Sequence, residues 1–193
     1  MNHYIVKQLN DASSLTNLMT QDTKLIASIE AAAKLCITPL KNNGKILLAG
    51  NGGSAADAQH IAGEFVSRFM FDRPPLKAIA LTIDTSILTA VGNDYGYEKV
   101  FSRQIETLGD KGDVFIVYPT SGKSKNILMA LREAKSKHLT CIGMTGNHGG
   151  EFKDLCDLTI DIPSSETPHI QEGHLIAGHI LCGLIEEAIF RAP

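Results

Sequence analysis

Two pairs of side chains carry groups that could transfer protons or hold a metal ion. The first pair, His60 and Glu64, lies four residues apart in a segment of mostly small and apolar residues. This spacing places both side chains on one face of a helix. An imidazole and a carboxylate so placed can ligate zinc or act as a base and an acid. Taken alone, the spacing is also typical of a simple surface contact.

The second pair, Gln171 and His179, lies on the last predicted helix. His179 is surrounded by apolar residues, and a buried histidine with its own hydrogen bond explains that pattern equally well. Gln171 and His179 are about 12 Å apart along a straight helix. They can share a metal only if both reach inward or if neighbouring subunits contribute. We therefore expect a site near a subunit interface.

Two loops rich in glycine and hydroxyl groups each follow a predicted strand and precede a helix. They are residues 50–54 (Gly-Asn-Gly-Gly-Ser) and 120–124 (Thr-Ser-Gly-Lys-Ser). Glycine lets backbone N–H groups face a ligand, and a helix N-terminus attracts anions. Tight turns with N-cap serines are the alternative. Two such loops in one sheet favour a phosphate-monoester site, with hydroxyl donors from Ser54, Thr120, Ser121 and Ser124.

Two competing phosphate motifs fit these loops less well. Residues 50–55 match the dinucleotide fingerprint G-x-G-x-x-[G/A], which also requires an acidic residue about 20 positions on, at the end of the second strand. Asp72 lies before that strand, and Asp84 lies too far along. The second loop is similar to a P-loop, but the required first glycine would fall on Val117.

The elements that must position these residues alternate along the chain. Apolar, often β-branched runs predict strands at 45–49, 78–83, 114–118, 140–144 and 158–162. Helical patterns predict helices at 12–42 (one or two), 54–69, about 85–107, 124–137, about 149–155 and 168–190. This order predicts an α/β three-layer sandwich, a five-stranded parallel sheet flanked by helices with an N-terminal helical extension. We expect one domain, 1–193, with N-terminal helices in 1–43 and the sheet core and long last helix in 44–193.

Composition narrows the classes of function. The 193 residues are 44% hydrophobic and 20% charged, with a net charge of −3 and no basic stripe, so we expect neither nucleic acid nor membrane as a partner. The four cysteines form no CxxC pair, which predicts reduced, buried thiols. Residues 1–11 lack the apolar segment of a signal peptide, and the apolar stretch 175–185 is short for a membrane span. We expect a cytoplasmic protein.

Together these residues resemble the sedoheptulose-7-phosphate isomerase (phosphoheptose isomerase) family, which has the sugar isomerase (SIS) fold. The resemblance covers nearly the whole chain. It is carried by the run 50–60, Glu64, Arg68, Asn93-Asp94, Thr120-Ser121-Gly122-x-Ser124 and Ile170-Gln171-Glu172-x-His174.

The resemblance implies an enzyme that converts sedoheptulose 7-phosphate to D-glycero-D-manno-heptose 7-phosphate, for bacterial lipopolysaccharide or capsule. It implies a homotetramer with sites between subunits and one zinc ion per subunit, held by the residues matching His60, Glu64, Gln171 and His179. Glu64 and His179 are the expected catalytic residues. The expected substrate contacts are Asn51, Gly52, Gly53, Ser54, Asn93, Asp94, Thr120, Ser121, Ser124 and Gln171.

The sequence departs from the family pattern in two places, and two rival functions stay open. Pro119 replaces a common hydroxyl residue before the second loop, and 167–169 replace an acidic residue found in some members.

One rival function is that of a DnaA-binding replication regulator of the same fold, but that protein lacks the counterparts of Glu64 and His179. The other is an isomerase of a different phosphosugar.

Overall fold

The computed structural model describes residues 1–119, 123–147 and 150–191. Its strands are β1 (Ile46–Gly50), β2 (Ala78–Ala80), β3 (Val114–Tyr118), β4 (Thr140–Thr145) and β5 (Leu158–Asp161). Its α-helices are α1 (Asn2–Gln21), α2 (Thr23–Lys41), α3 (Gly53–Val66), α4 (Thr85–Tyr95), α5 (Ser102–Leu108), α6 (Lys125–Ser136), α7 (Glu151–Leu155) and α8 (Thr167–Phe190).

The five strands form one parallel sheet in the order β2-β1-β3-β4-β5. Every residue of β1 and β3 is buried, as expected for strands covered on both faces. Alternate side chains point to opposite faces, so Leu48 and Ile116 pack with α1, α2, α3 and α8, whereas Leu47 and Phe115 pack with α5 and α6. The predicted three-layer α/β fold is confirmed, and the two helices of chemical interest, α3 and α8, share one face.

The helices differ most from the predicted ones in two places, and α3 also ends at Val66 rather than at residue 69. The N-terminal helical segment begins at Asn2 rather than near residue 12, and it is divided at Asp22, whose carboxylate accepts hydrogen bonds from the backbone N–H groups of Lys24 and Leu25. The helix predicted over about 85–107 is interrupted after α4, because Gly96 adopts a left-handed φ of 91° that ends the helix. A short 3₁₀ turn, Tyr97–Lys99, then leads toward α5.

Helix α8 is longer than the apolar stretch 175–185 seen in the sequence. By length and composition alone its 24 residues could cross a membrane, but a core helix of a globular protein passes the same test. In the structure α8 packs on α2 and α3, with Ala177, Leu181 and Ile185 fully or almost fully buried. Its apolar composition is therefore accounted for by the interior that it helps to form.

Candidate active site

The sharp turn between β1 and α3 brings a helix N-terminus to the carboxyl edge of the sheet. A Cβ on Gly50 would lie 2.3 Å from the carbonyl oxygen of Ser54, so only glycine allows the chain to fold back this closely. Gly52 adopts φ 60° and ψ −124°, a conformation that glycine takes most readily. The turn thus brings the positive end of the α3 dipole to this edge, a usual place for a phosphate, although the N–H groups of Ser54 and Ala55 already donate to the carbonyl oxygens of Asn51 and Gly52 at 3.1 Å.

The strands that precede the two predicted phosphate loops lie at the point where the strand order reverses. β1 and β3 are neighbours in register, with Gly50 opposite Tyr118, so the loops that follow them leave the same edge. Such a switch point is the usual ligand crevice of an open parallel sheet. Thr120 and Ser121 lie outside the described residues. Ser124 is the N-cap residue of α6 but makes no side-chain capping bond, contrary to the simple turn explanation.

Asn126 and Tyr97, which were not predicted from the sequence, hold the predicted residue Asn51 in this crevice. Asn126 and Asn51 exchange two amide hydrogen bonds, 2.9 and 2.8 Å long, and the Tyr97 hydroxyl donates to Asn51 Oδ1 at 3.3 Å. Asn51, Tyr97, Ser124 and Asn126 help to line a cavity of about 310 Å³. Asn126 lies only two positions after Ser124, but nothing in the sequence distinguished it from an ordinary first-turn residue of a helix.

Gln171 contacts the start of α3. Its Nε2 atom lies 3.4 Å from Ser54 Oγ, and a Cβ on Gly53 would approach the Gln171 amide to 2.6 Å. The glycine at position 53 therefore makes room for Gln171. The structure brings this predicted residue to the first phosphate loop, eight positions before His179 on α8.

His60, Glu64 and His179 converge, although His60 and His179 are 119 positions apart in sequence. The two Nε2 atoms are 2.8 Å apart, and His60 Nε2 lies 3.3 Å from Glu64 Oε1. One ligand atom from each of the three residues lies within 4.8 Å of the others. Gly178 permits this approach, because Ile61 of α3 occupies the space where a side chain at position 178 would lie.

The donor set of this cluster fits a zinc ion. Two imidazole nitrogens and a carboxylate oxygen are ligands that zinc commonly takes, and three protein ligands leave a position for substrate or water in catalytic sites. The side chains of His60 and Glu64 are 44% and 24% exposed, so a ligand can reach the cluster from solvent. Whether Gln171 joins the same ligand set stays a prediction.

An acidic residue that sequence reasoning missed lies one turn before His60. Burial raises the pKa of the Asp57 carboxyl to about 6, and the nearby His60 counteracts part of that rise. Asp57 precedes His60 by three residues, a spacing that could have identified it as a neighbour on the same helix face.

Asn93 and Asp94 lie in the last turn of α4 and are exposed. Asn93 Nδ2 donates to the Asp94 carboxylate at 2.7 Å. The structure gives these two residues a contact with each other, and their predicted contact with substrate stays a prediction.

Known proteins match both the fold and the sequence. The model of the SIS domain family matches residues 12–146. The phosphoheptose isomerase of Burkholderia pseudomallei (strain 1710b) is 63% identical over 187 residues, which cover 97% of this chain and 95% of that protein. The phosphoheptose isomerase of Aneurinibacillus thermoaerophilus is 56% identical over 191 residues, covering 99% and 96%.

A solved structure gives the same result. A phosphoheptose isomerase from Francisella tularensis superposes with a TM-score of 0.90 at 36% identity, covering 97% of this chain and 99% of that one. The fold and the family model define a SIS domain protein. Within that class the chain belongs to the phosphoheptose isomerase family, and it is a phosphosugar isomerase. The resemblance and the enzyme class predicted from the sequence are confirmed.

Proposed function

We propose that this enzyme interconverts sedoheptulose 7-phosphate and D-glycero-D-manno-heptose 7-phosphate, for bacterial lipopolysaccharide or capsule. The observation that carries the proposal is the convergence of His60, Glu64 and His179 on α3 and α8, with α3 beginning at the shared carboxyl edge of β1 and β3. The family supports the remaining parts: a cytoplasmic homotetramer with sites between subunits. The exposed faces of α1 and α8, including Tyr4, Leu9 and Leu184, supply apolar surface for such an assembly.

The reaction moves one proton between C1 and C2 and another between their oxygens, through an enediol. We assign the carbon proton to the Glu64 carboxylate and the oxygen protons to the His179 imidazole. Their convergence supports a role for both residues, because a base at carbon and an acid at oxygen must face one substrate together. General acid–base assistance of this kind contributes roughly 10²–10⁴-fold.

In the proposed site, His60, Glu64, Gln171 and His179 hold one zinc ion per subunit. When bound, that ion would polarise the substrate carbonyl and stabilise negative charge on its oxygen. If Glu64 and His179 are also ligands, the second carboxylate oxygen and the second ring nitrogen are the atoms left for proton transfer.

The phosphate is assigned to the two loops, and the sugar hydroxyls to the polar residues around them. Backbone N–H groups at the start of α3 and the Ser54 and Ser124 hydroxyls lie at the shared edge of β1 and β3. The proposed contacts are Asn51, Gly52, Gly53, Ser54, Asn93, Asp94, Thr120, Ser121, Ser124 and Gln171.

The test is incubation of the purified enzyme with sedoheptulose 7-phosphate, with and without a chelator, followed by NMR of the products. Glu64→Gln and His179→Gln should each abolish turnover while binding of a phosphate ester survives. Glu187→Gln is the matched control, since that carboxylate lies on α8, is 53% exposed and pairs with Arg191. Near-normal turnover in either site variant would remove the assignment of that residue.

A further inference from the structure

A buried ion pair joins the end of α3 to α8 near the three-residue cluster. The side chains of Arg73 and Glu186 are only 2% and 1% exposed, with Nε and Oε1 2.9 Å apart. The carboxylate also accepts from the backbone N–H groups of Phe69 at 2.9 Å and Met70 at 2.8 Å. Burial by itself would raise the pKa of Glu186, but these N–H groups and the guanidinium hold it below its usual value. The carboxylate is therefore charged at neutral pH.

The Arg73 guanidinium caps the helix that carries Glu64. It donates to the carbonyl oxygens of Phe65 at 2.7 Å and Glu64 at 2.9 Å. The last carbonyls of a helix lack partners within the helix, and a cation there also interacts favourably with the helix dipole. Arg73 thus holds the backbone of the turn from which the Glu64 side chain projects.

The Glu186 carboxylate is connected to His179 by a second route. Glu186 follows His179 by seven residues, two turns along the same face of α8. Phe69 donates its backbone N–H to the Glu186 carboxylate. The centroid of the Phe69 ring lies 5.3 Å from that of the His179 imidazole, with an angle of 34° between the ring planes. One ion pair therefore anchors both the backbone at Glu64 and the aromatic ring that packs on His179.

We propose that Arg73 and Glu186 are positioning residues of the active site, whose buried ion pair sets where Glu64 and His179 stand relative to each other. The inference rests on the function proposed above for those two residues. Breaking a buried ion pair leaves an uncompensated charge and destabilises the fold whatever its role. The test must therefore separate loss of stability from loss of site geometry.

Asp113 supplies the matched control. It is a buried carboxylate that pairs with the Lys45 ammonium at 2.6 Å and accepts from the backbone N–H groups of Lys45 and Asp110, both at 2.9 Å. It immediately precedes β3, at the amino edge of the sheet, opposite the proposed site. Asp113→Asn perturbs a similar network without touching α3 or α8.

Glu186→Gln, Arg73→Lys and Asp113→Asn are compared with the parent by urea unfolding, by Zn²⁺ affinity in chelator competition, and by kcat and KM. All three should lose stability. The two ion-pair variants should also lose roughly 10–100-fold in Zn²⁺ affinity and in kcat, the usual effect of removing a residue that orients metal ligands. Asp113→Asn should keep both values within about twofold. Parent-like Zn²⁺ affinity and kcat in both ion-pair variants, or equal losses in the control, would overturn the proposal.

A measurement on metal-free protein separates this proposal from the proposed function. The Phe69 ring should impose a ring-current shift on the His179 ring protons in the parent, and Glu186→Gln should reduce it while Asp113→Asn leaves it unchanged. An unchanged shift in Glu186→Gln refutes the positioning role even if the parent is an active zinc enzyme. A parent that neither binds Zn²⁺ nor isomerises the substrate refutes the proposed function instead, and the ring-current result still decides the positioning.

If the single variants fail to fold, the double variant Arg73→Met/Glu186→Gln is used instead. It removes both charges, and the glutamine amide oxygen can still accept a hydrogen bond from a backbone N–H group of Phe69 or Met70. This double variant is expected to fold, because no buried charge is left unpaired. It should show the same loss of Zn²⁺ affinity and of the ring-current shift, and parent-like values for both would count against the proposal.

Discussion

Replacing Gly178 by alanine tests whether close packing of α3 on α8 holds the site together. An alanine Cβ at this position would lie 2.7 Å from Ile61 Cδ1 and 3.1 Å from its Cγ1. Ile61 is fully buried, so its side chain has little room to move. Alanine gains about 1 kcal/mol over glycine in a helix, whereas overpacking a core costs about 1–3 kcal/mol. The difference is a net loss of up to about 2 kcal/mol, with about 1 kcal/mol as its midpoint.

The loss should extend to activity, because Ile61 and Gly178 are the sequence neighbours of His60 and His179. Moving the helices apart separates the two imidazoles, which are 2.8 Å apart at Nε2. Urea unfolding at one fixed protein concentration gives the stability, and turnover of sedoheptulose 7-phosphate gives the activity. Ile61→Val removes the Cδ1 methyl that the alanine Cβ would meet. The double variant Gly178→Ala/Ile61→Val should therefore recover part of the stability and part of the activity, with a coupling energy of about 1 kcal/mol.

Gly183→Ala is the control on the same helix. A Cβ there would meet the Phe69 ring at 3.5 Å, an ordinary contact, so the helix propensity gain of about 1 kcal/mol should appear as added stability. The reasoning is refuted if Gly178→Ala stabilises the enzyme as much as Gly183→Ala does, or if Ile61→Val shows no coupling with it.

Two further predictions concern buried polar groups. Burial lowers the pKa of His174 to about 4, with a partial offset from the Thr145 backbone, so the folded protein keeps this imidazole neutral while the unfolded chain protonates it below about 6.5. The free energy of unfolding should therefore fall as pH drops through this window, by about 2 kcal/mol between pH 7.5 and 5. In urea unfolding, His174→Gln should lack this pH-dependent loss. Equal pH dependence of stability in the parent and in His174→Gln would contradict the prediction. Asn126→Ala removes both hydrogen bonds between the Asn51 and Asn126 amides. The loss should cost about 1–3 kcal/mol of stability and raise KM more than it lowers kcat. An unchanged KM in steady-state kinetics would show that this amide pair does not orient the crevice.

The sequence by itself determined the local pattern of this enzyme. Runs of apolar residues alternating with helical periodicity implied the parallel sheet, since a strand buried on both faces needs such a run. The glycines at 50, 52 and 53 marked a loop where the backbone must turn sharply. The spacing of His60 and Glu64 placed them on one helix face. Each of these conclusions depends on residues that are close in the chain.

Tertiary structure alone decided which distant groups meet. Periodicity shows that α3 and α8 each bury a face, but not that the face of His60 lies against that of His179. It likewise gave no sign that Arg73, in the segment between α3 and β2, would pair with Glu186 near the end of α8. The break at Gly96 was also missed, because a glycine inside a helical pattern can be tolerated or can end the helix. Such outcomes depend on side-chain packing and charge burial between elements, which local spacing does not specify.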